Sequence, residues 1–357
     1  MTNSTHFFLG ANSGRGFQSL FPPFCAPERH YDLLVLKGGP GAGKSTMMKK
    51  IGAAMEEQGE TVEYLFCSGD PDSLDGIHIP RIRTAIVDGT APHVVEPKYP
   101  AAVERYVDMG VCYDIAAAKE DRKEIIHHST ACSAAYQRAF QALGAAKQMA
   151  DSAAALVREG LDQDKLRRRG EGIISREVRG KGAGKSDEYR FLGSVTCRGP
   201  QWCFDSVEAL CPRIYQLQDS YDLAAPLLEQ IHTAARGRGY YAIVCPDAEH
   251  PERIHHLLLP QLGVAFVTSR EGMRYEGSAY RRIRIDAMVP PAHYRQFRSR
   301  LRFTMRMAAA LRQEAVEALA DAKAAHDSLE AVYQPHVDFT RADEITAREL
   351  ARIQSYL

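Results

Sequence analysis

Asparagine is nearly missing: Asn3 and Asn12 are the only two in 357 residues. An N-K-x-D guanine-reading motif is therefore absent, and small G-protein behaviour is not expected. No L-S-G-G-Q-like signature is present, which argues against an ABC-type or SMC-type engine. No apolar run is long enough to cross a bilayer, so no membrane partner is expected. The opening MTNSTHFFLG has no basic n-region, so a cytoplasmic protein without a secretion signal is expected. Net charge is absent too, with Lys+Arg and Asp+Glu both at 45 and a formal +0. Nothing in that balance demands nucleic acid, which is not an expected partner. The eight cysteines form no C-x-x-C pair, and Cys197, Cys203 and Cys211 match no common zinc spacing. They read as reduced thiols. The pairs His127–His128 and His255–His256 would each point two ways on a helix, which argues against metal binding.

What is present is a strong local pattern at 33–46, LLVLKGGPGAGKST. Four apolar residues read as a short buried strand. Gly38, Gly39, Pro40, Gly41, Ala42, Gly43, Lys44, Ser45 and Thr46 then satisfy the G-x-x-x-x-G-K-[ST] pattern of a phosphate-binding Walker A loop. Residues 44–58 suit a helix. Glycine permits the tight curl that turns backbone N–H groups onto an anion. The helix N-terminus adds partial positive charge. Lys44 can reach the β- and γ-phosphates, and the Ser45 hydroxyl can hold Mg²⁺.

The length suggests about two domains, and an internal repeat gives them. Phe8-Leu9-Gly10 and Arg15-Gly16 return as Phe191-Leu192-Gly193 and Arg198-Gly199. Ile51, Ala54 and Gly59 return as Ile231, Ala234 and Gly239. Pro80, Ala85 and Val87 return as Pro260, Ala265 and Val267, and Lys147 and Asp151 return as Lys323 and Asp327. The chain reads as two fused copies of one unit, 1–187 and 188–357. In each, short strands (7–9, 62–67 and 83–88; 190–192, 240–245 and 264–268) alternate with helical stretches. That pattern predicts an α/β fold with a parallel sheet in each lobe. Each unit then turns helical, over about 100–180 and about 290–357, and an α-helical hairpin is expected on each lobe. Its alanine-rich stripe reads as helix packing. Asp162 and Thr340 are the expected N-caps of the shorter helices.

The second unit has lost the loop, since LQDSYDLAAPLLEQ stands where the first has LKGGPGAGKSTMMKK. Asp219 and Asp222 would repel phosphate there. A second glycine-rich segment at 179–186, RGKGAGKS, lacks the first glycine and an apolar helix after it, and reads as a flexible basic linker.

Asp88 ends a strand and is the expected second Mg²⁺ ligand. Asp70, Asp72 and Asp75 lie beyond another strand, where ligands bind in open sheets. They can position Mg²⁺, a water or a substrate hydroxyl, or they can be turn residues. Thr90 and His93 can sense a γ-phosphate. Arg295, Arg298, Arg302 and Arg306 share one helix face. They can meet phosphates, or form a solvated or ion-paired face.

The runs KGGPGAGKSTMMKKI, CSGDPDSLDG and AIVDGTAPHVVEPKYP resemble a family of bacterial tandem P-loop proteins, mostly uncharacterised ATP-binding proteins or ATPases. The resemblance covers nearly the whole chain. It implies that 38–46 bind nucleotide and that 70–76 and 88–93 belong to the same site. Members often keep a second phosphate loop, and this sequence departs from that at 218–226. The expected function is Mg²⁺-dependent ATP binding, with hydrolysis or phosphoryl transfer. The catalytic candidates are Lys44, Asp88, Asp70 and Asp72. Two versions stand side by side. One is a small-molecule kinase, with Asp70 or Asp72 orienting an acceptor and Arg167-Arg168-Arg169 closing as a lid. The other is a nucleotide-gated interaction protein whose helical hairpins engage a protein partner.

Overall fold

The computed structural model describes residues 4–357. The first unit runs β1 (Thr5–Phe8), β2 (Gly10–Ser13), β3 (Gly16–Ser19), α1 (Phe21–Phe24), β4 (Asp32–Lys37), α2 (Lys44–Glu57) and β5 (Glu63–Phe66). It continues with β6 (Leu74–Ile79), β7 (Thr84–Asp88), β8 (Glu104–Asp108), α3 (Ile115–Glu120), α4 (Arg122–Arg158) and α5 (Gln163–Glu177). The second unit repeats the plan with β9 (Glu188–Tyr189), β10 (Gly193–Thr196), β11 (Gly199–Trp202), α6 (Phe204–Leu210), β12 (Arg213–Gln218), α7 (Ala225–Gly237) and β13 (Ile243–Pro246). Then follow β14 (Ile254–Leu259), β15 (Val264–Ser269), β16 (Arg281–Arg284), α8 (Pro291–Tyr333) and α9 (Phe339–Gln354).

Two six-stranded sheets have matching orders, β1-β5-β6-β7-β4-β8 and β9-β13-β14-β15-β12-β16. The duplication read from the sequence is therefore a duplication of α/β lobes. The sheets are mixed, which corrects the expectation of parallel ones. β6 is antiparallel to both β5 and β7, and β14 to both β13 and β15. Neither β6 nor β14 was expected. β6 begins at Leu74 and runs straight into Asp75-Gly76, which resembles a turn. Gly76 fits the strand because a Cβ there would press on Ile86 O and Leu65 Cδ1, both at 3.0 Å. The pair His255–His256 lies on β14, not on a helix.

The lobes meet at equivalent residues. Phe8 and Phe191 form an antiparallel bridge, each N–H donating to the other's carbonyl at 2.9 Å. Arg198 pairs with Asp72, and its counterpart Arg15 approaches Glu252 at 4.0 Å. Such reciprocity is what a twofold-related pair requires.

The long helices overturn the expectation of one hairpin per lobe. At 37 and 43 residues, α4 and α8 are ~55 and ~65 Å long, too long to fold back onto a single lobe. They run antiparallel to each other, with Asp121 near His336, Arg138 near Asp321, and Leu156 near His293. Their seam is alanine-rich, with Ala139, Ala142, Ala315 and Ala318 buried, so the expected packing role of the stripe holds. Each helix crosses to the other lobe. Val157, Leu166 and Ile173 join the second lobe's core with Leu227 and Ile231. Ala342, Ile345 and Ile353 of α9 join the first lobe's core with Met47, Met48 and Ile51. The C-terminal helices are thus exchanged between the lobes.

Two local expectations also change. Asp162 caps α5 by accepting from Lys165 N–H, as expected, but α9 is capped by Asp338, not Thr340. The segment 179–186 is pinned, since the N–H groups of Gly182 and Gly184 donate to Arg238 and Gly239 carbonyls at 2.8 Å.

Candidate functional site

β4 lies between β7 and the edge strand β8 of the first sheet, and its Leu33, Leu34, Val35 and Leu36 are fully buried. That burial fixes where the glycine-rich loop begins. Gly41 and Gly43 take φ of +74° and +83°, a region that side chains disfavour. The turn feeds α2, with Gly43 at the N-cap. Ala42 is buried under the loop, whereas Thr46 is exposed on the first turn of α2.

The charged residues gather on one side of this turn. Lys44 Nζ donates to the carbonyls of Gly38 at 2.5 Å and Gly39 at 3.0 Å. It also lies 3.6 Å from Asp88 Oδ2. Asp88 Oδ1 accepts from Thr90 N–H at 2.8 Å and Thr90 Oγ1 at 2.6 Å, which orients Oδ2 toward the lysine. Ser45 Oγ accepts from Leu74 N–H at 3.0 Å and ties the helix start to β6.

Asp75 enters the site through β6. It sits one position beyond the Gly76–Val87 register pair, so it faces Asp88 across the strands. Asp75 is 3% exposed, and burial pushes its carboxyl up to about 6, with His93 opposing the rise and Asp88 adding to it. His93 Nε2 lies 3.5 Å from Asp75 Oδ1, and its ring stacks on Phe21. Asp75 Oδ2 and His93 Nδ1 are buried without a hydrogen-bond partner among the described residues. An orphaned carboxylate oxygen beside a second carboxylate fits a site that takes up a cation, a water or a polar ligand.

Asp70 and Asp72 face elsewhere. Asp70 lies 3.4 Å from Lys323 of α8 and accepts from Ser73 Oγ, while Asp72 pairs with Arg198. Both carboxylates are engaged with the second unit, and Asp70 also accepts from Asp72 N–H at 3.1 Å, as a turn residue does. Arg167 pairs with Asp164 and Glu171, on a helix that packs on α7 in the second lobe. It cannot serve as a lid over the first lobe's loop.

The far end of α8 supplies residues that nothing in the loop's own unit predicts. Glu330 Oε1 accepts from Gly41 N–H at 3.2 Å. It is the one side chain among the described residues that takes a loop N–H between 38 and 43. Tyr333 Cβ would lie 3.7 Å from a Cβ at Gly41. Tyr113 Oη donates to Pro40 O at 2.6 Å.

The second lobe keeps the turn but fills it. β4 and β12 place Asp219, Asp222 and Ala225 where Gly38, Gly41 and Lys44 stand. Asp222 has φ of +53°, the same hand as Gly41. Asp219 accepts from the N–H groups of Leu223 at 2.9 Å and Ala224 at 2.8 Å. Its own carboxylate thus occupies the donors that an anion would need. Burial, then Asp222, raises the Asp219 carboxyl to about 7. Burial would raise Asp222 too, but Arg270 pairs with it and brings it down to about 2. Asp222, Asp247 and His255 approach a metal-ligand grouping, but the Arg270 cation already sits on Asp222.

The Nephrocystin 3 N-terminal family matches residues 24–79, from the end of α1 through β6. No curated protein and no solved structure gives a match. Among the described residues, no helix is long and apolar enough to cross a membrane.

Proposed function

We propose that the first lobe is a P-loop unit that binds Mg²⁺–ATP and hydrolyses it, with the second lobe as a partner that binds no nucleotide. One observation carries the reading. Lys44 is held between two loop carbonyls and Asp88, under a turn whose N–H groups at 42 and 43 have no partner among the described residues. Those donors and that ammonium suit phosphate oxygens. Lys44 would exchange its carbonyl bonds for the β- and γ-phosphates. Ser45 and Asp88 are the residues that would hold Mg²⁺, which when bound neutralises charge on those phosphates. Asp75, beside Asp88 with a free oxygen, is the better candidate to orient an attacking water than Asp70 or Asp72.

Phosphate release from ATP tests this. Wild type is expected to release phosphate only with Mg²⁺. Asp75→Asn should lower turnover by ~100-fold or more while ATP binding stays near wild type. A variant as active as wild type would remove Asp75 from the reaction.

The gated-interaction reading gains from a specific observation, and the kinase reading loses. Asp70 and Asp72 are tied to Lys323 and Arg198, while Glu330 holds a loop N–H that a phosphate would claim. Nucleotide and Glu330 compete, so binding would move the end of α8. Glu330→Ala is expected to tighten ATP binding by about 3- to 10-fold, the worth of roughly one hydrogen bond. Calorimetry decides it, and an unchanged or weakened affinity would remove the competition.

A further inference from the structure

Residues 287–313 hold six arginines and no acidic residue. Arg312 is turned inward, toward Arg270 and Asp222. The other five, Arg295, Arg298, Arg300, Arg302 and Arg306, are exposed along the first half of α8. None lies within 4.0 Å of a carboxylate among the described residues, so the ion-paired reading of this face does not hold. Arg295, Arg298, Arg302 and Arg306 follow i, i+3 and i+4 spacing and form one stripe ~16 Å long. Phe303, 54% exposed, lies on its flank.

The shared fold does not require Arg300, Arg302 or Arg306. An offset of 176 residues superposes the buried Ala139, Ala142, Leu143 and Ala146 on Ala315, Ala318, Leu319 and Ala322. At that offset the counterparts of Arg295 and Arg298 are the basic Lys119 and Arg122, while those of Arg300, Arg302 and Arg306 are Glu124, Ile126 and Thr130. The first unit therefore does the same packing work with fewer cations there, and with Glu120, Asp121 and Glu124 set among them. The unit without the glycine loop is the one whose arginines continue past Arg298 with no acidic residue among them.

We propose that this stripe binds the phosphate backbone of a nucleic acid. One strand offers a phosphate every ~3.4 Å of helix axis, so the stripe spans about five. Arginine forks match phosphate oxygens bidentately, and Phe303 can stack on an unpaired base. An anionic membrane fits less well. A membrane-surface helix needs a free apolar face, and here Leu301, Thr304 and Ala308 are buried against the protein. This site is independent of the nucleotide site. α8 nonetheless runs unbroken from the stripe to Glu330, so the two have one rigid element in common.

Fluorescence anisotropy with short labelled single-stranded and duplex oligonucleotides tests the proposal, with anionic phospholipid vesicles as a third arm. Wild type is expected to bind at least one nucleic acid at ~50 mM salt and to weaken steeply by ~200 mM. Arg298→Gln with Arg302→Gln and Arg306→Gln should weaken binding at least ~10-fold and lower the log–log salt slope by about three. Thermal melting checks that this variant folds, and calorimetry that it still binds ATP. A charge control, Arg167→Gln with Arg168→Gln and Arg169→Gln, should bind as wild type. The proposal falls if neither oligonucleotide binds at low salt, if the two triple variants behave alike, or if vesicles bind more tightly than nucleic acid. Should the stripe variant fail to fold, Arg302→Glu alone must still produce the larger loss relative to Arg168→Glu.

Discussion

Lys44→Ala is expected to abolish measurable Mg²⁺–ATP binding, with a loss of at least ~100-fold, or about 2.7 kcal/mol. The Lys44 side chain is only 12% exposed and holds the loop by bonding Gly38 and Gly39 carbonyls. Its removal takes away the lysine beside Asp88 and Asp75, so both carboxylates would then repel a triphosphate. Calorimetry reads the affinity, and circular dichroism on the same sample reads the fold. Retained affinity in a folded variant would mean that the loop is a structural turn.

The second large effect concerns the junction of the lobes. Arg190 is 3% exposed and forks onto Glu63, Nε to Oε1 at 2.7 Å and Nη2 to Oε2 at 3.0 Å. Its guanidinium also lies over the Phe24 ring. Arg190→Ala leaves Glu63 buried with only His78 at 3.2 Å. Breaking a buried pair from one side costs ~3–5 kcal/mol. Denaturant unfolding should register that loss, and Arg190→Met combined with Glu63→Leu should recover much of it. The pH sign follows from Glu63. Burial would raise its carboxyl, but Arg190 and then His78 hold it far below the ordinary carboxylate range. A depressed carboxylate stabilises the fold above its unfolded value of 4.5 and loses that contribution as pH falls toward the folded value. The gap between wild type and Arg190→Ala should therefore narrow below about pH 4. A gap that stays constant with pH would show that Glu63 is not the group involved.

The parts of this protein that the sequence exposes are local. A strand, a glycine turn and a helix follow one another at 32–57, and each is encoded by neighbours in the chain. The repeat is legible for the same reason, since two copies must satisfy the same packing. What escaped depends on distant contacts. β6 was hidden because Asp75-Gly76 is encoded like a turn and becomes a strand only between β5 and β7. That one strand is what sets Asp75 against Asp88 and leaves Asp70 and Asp72 facing the second unit. The exchange of α5 and α9 was hidden because an amphipathic helix states which face it buries, not against which lobe. Glu330 reaches Gly41 from 289 residues away, and no spacing rule connects them.

A single nucleotide site is expected, in the first lobe. Asp219 already occupies the loop donors of the second lobe, and Arg270 is bound to Asp222. Equilibrium dialysis with a non-hydrolysable ATP analogue and Mg²⁺ measures this directly. Saturation is expected near one nucleotide per chain for wild type, with none bound by Lys44→Ala. Saturation near two, with one site surviving Lys44→Ala, would contradict it.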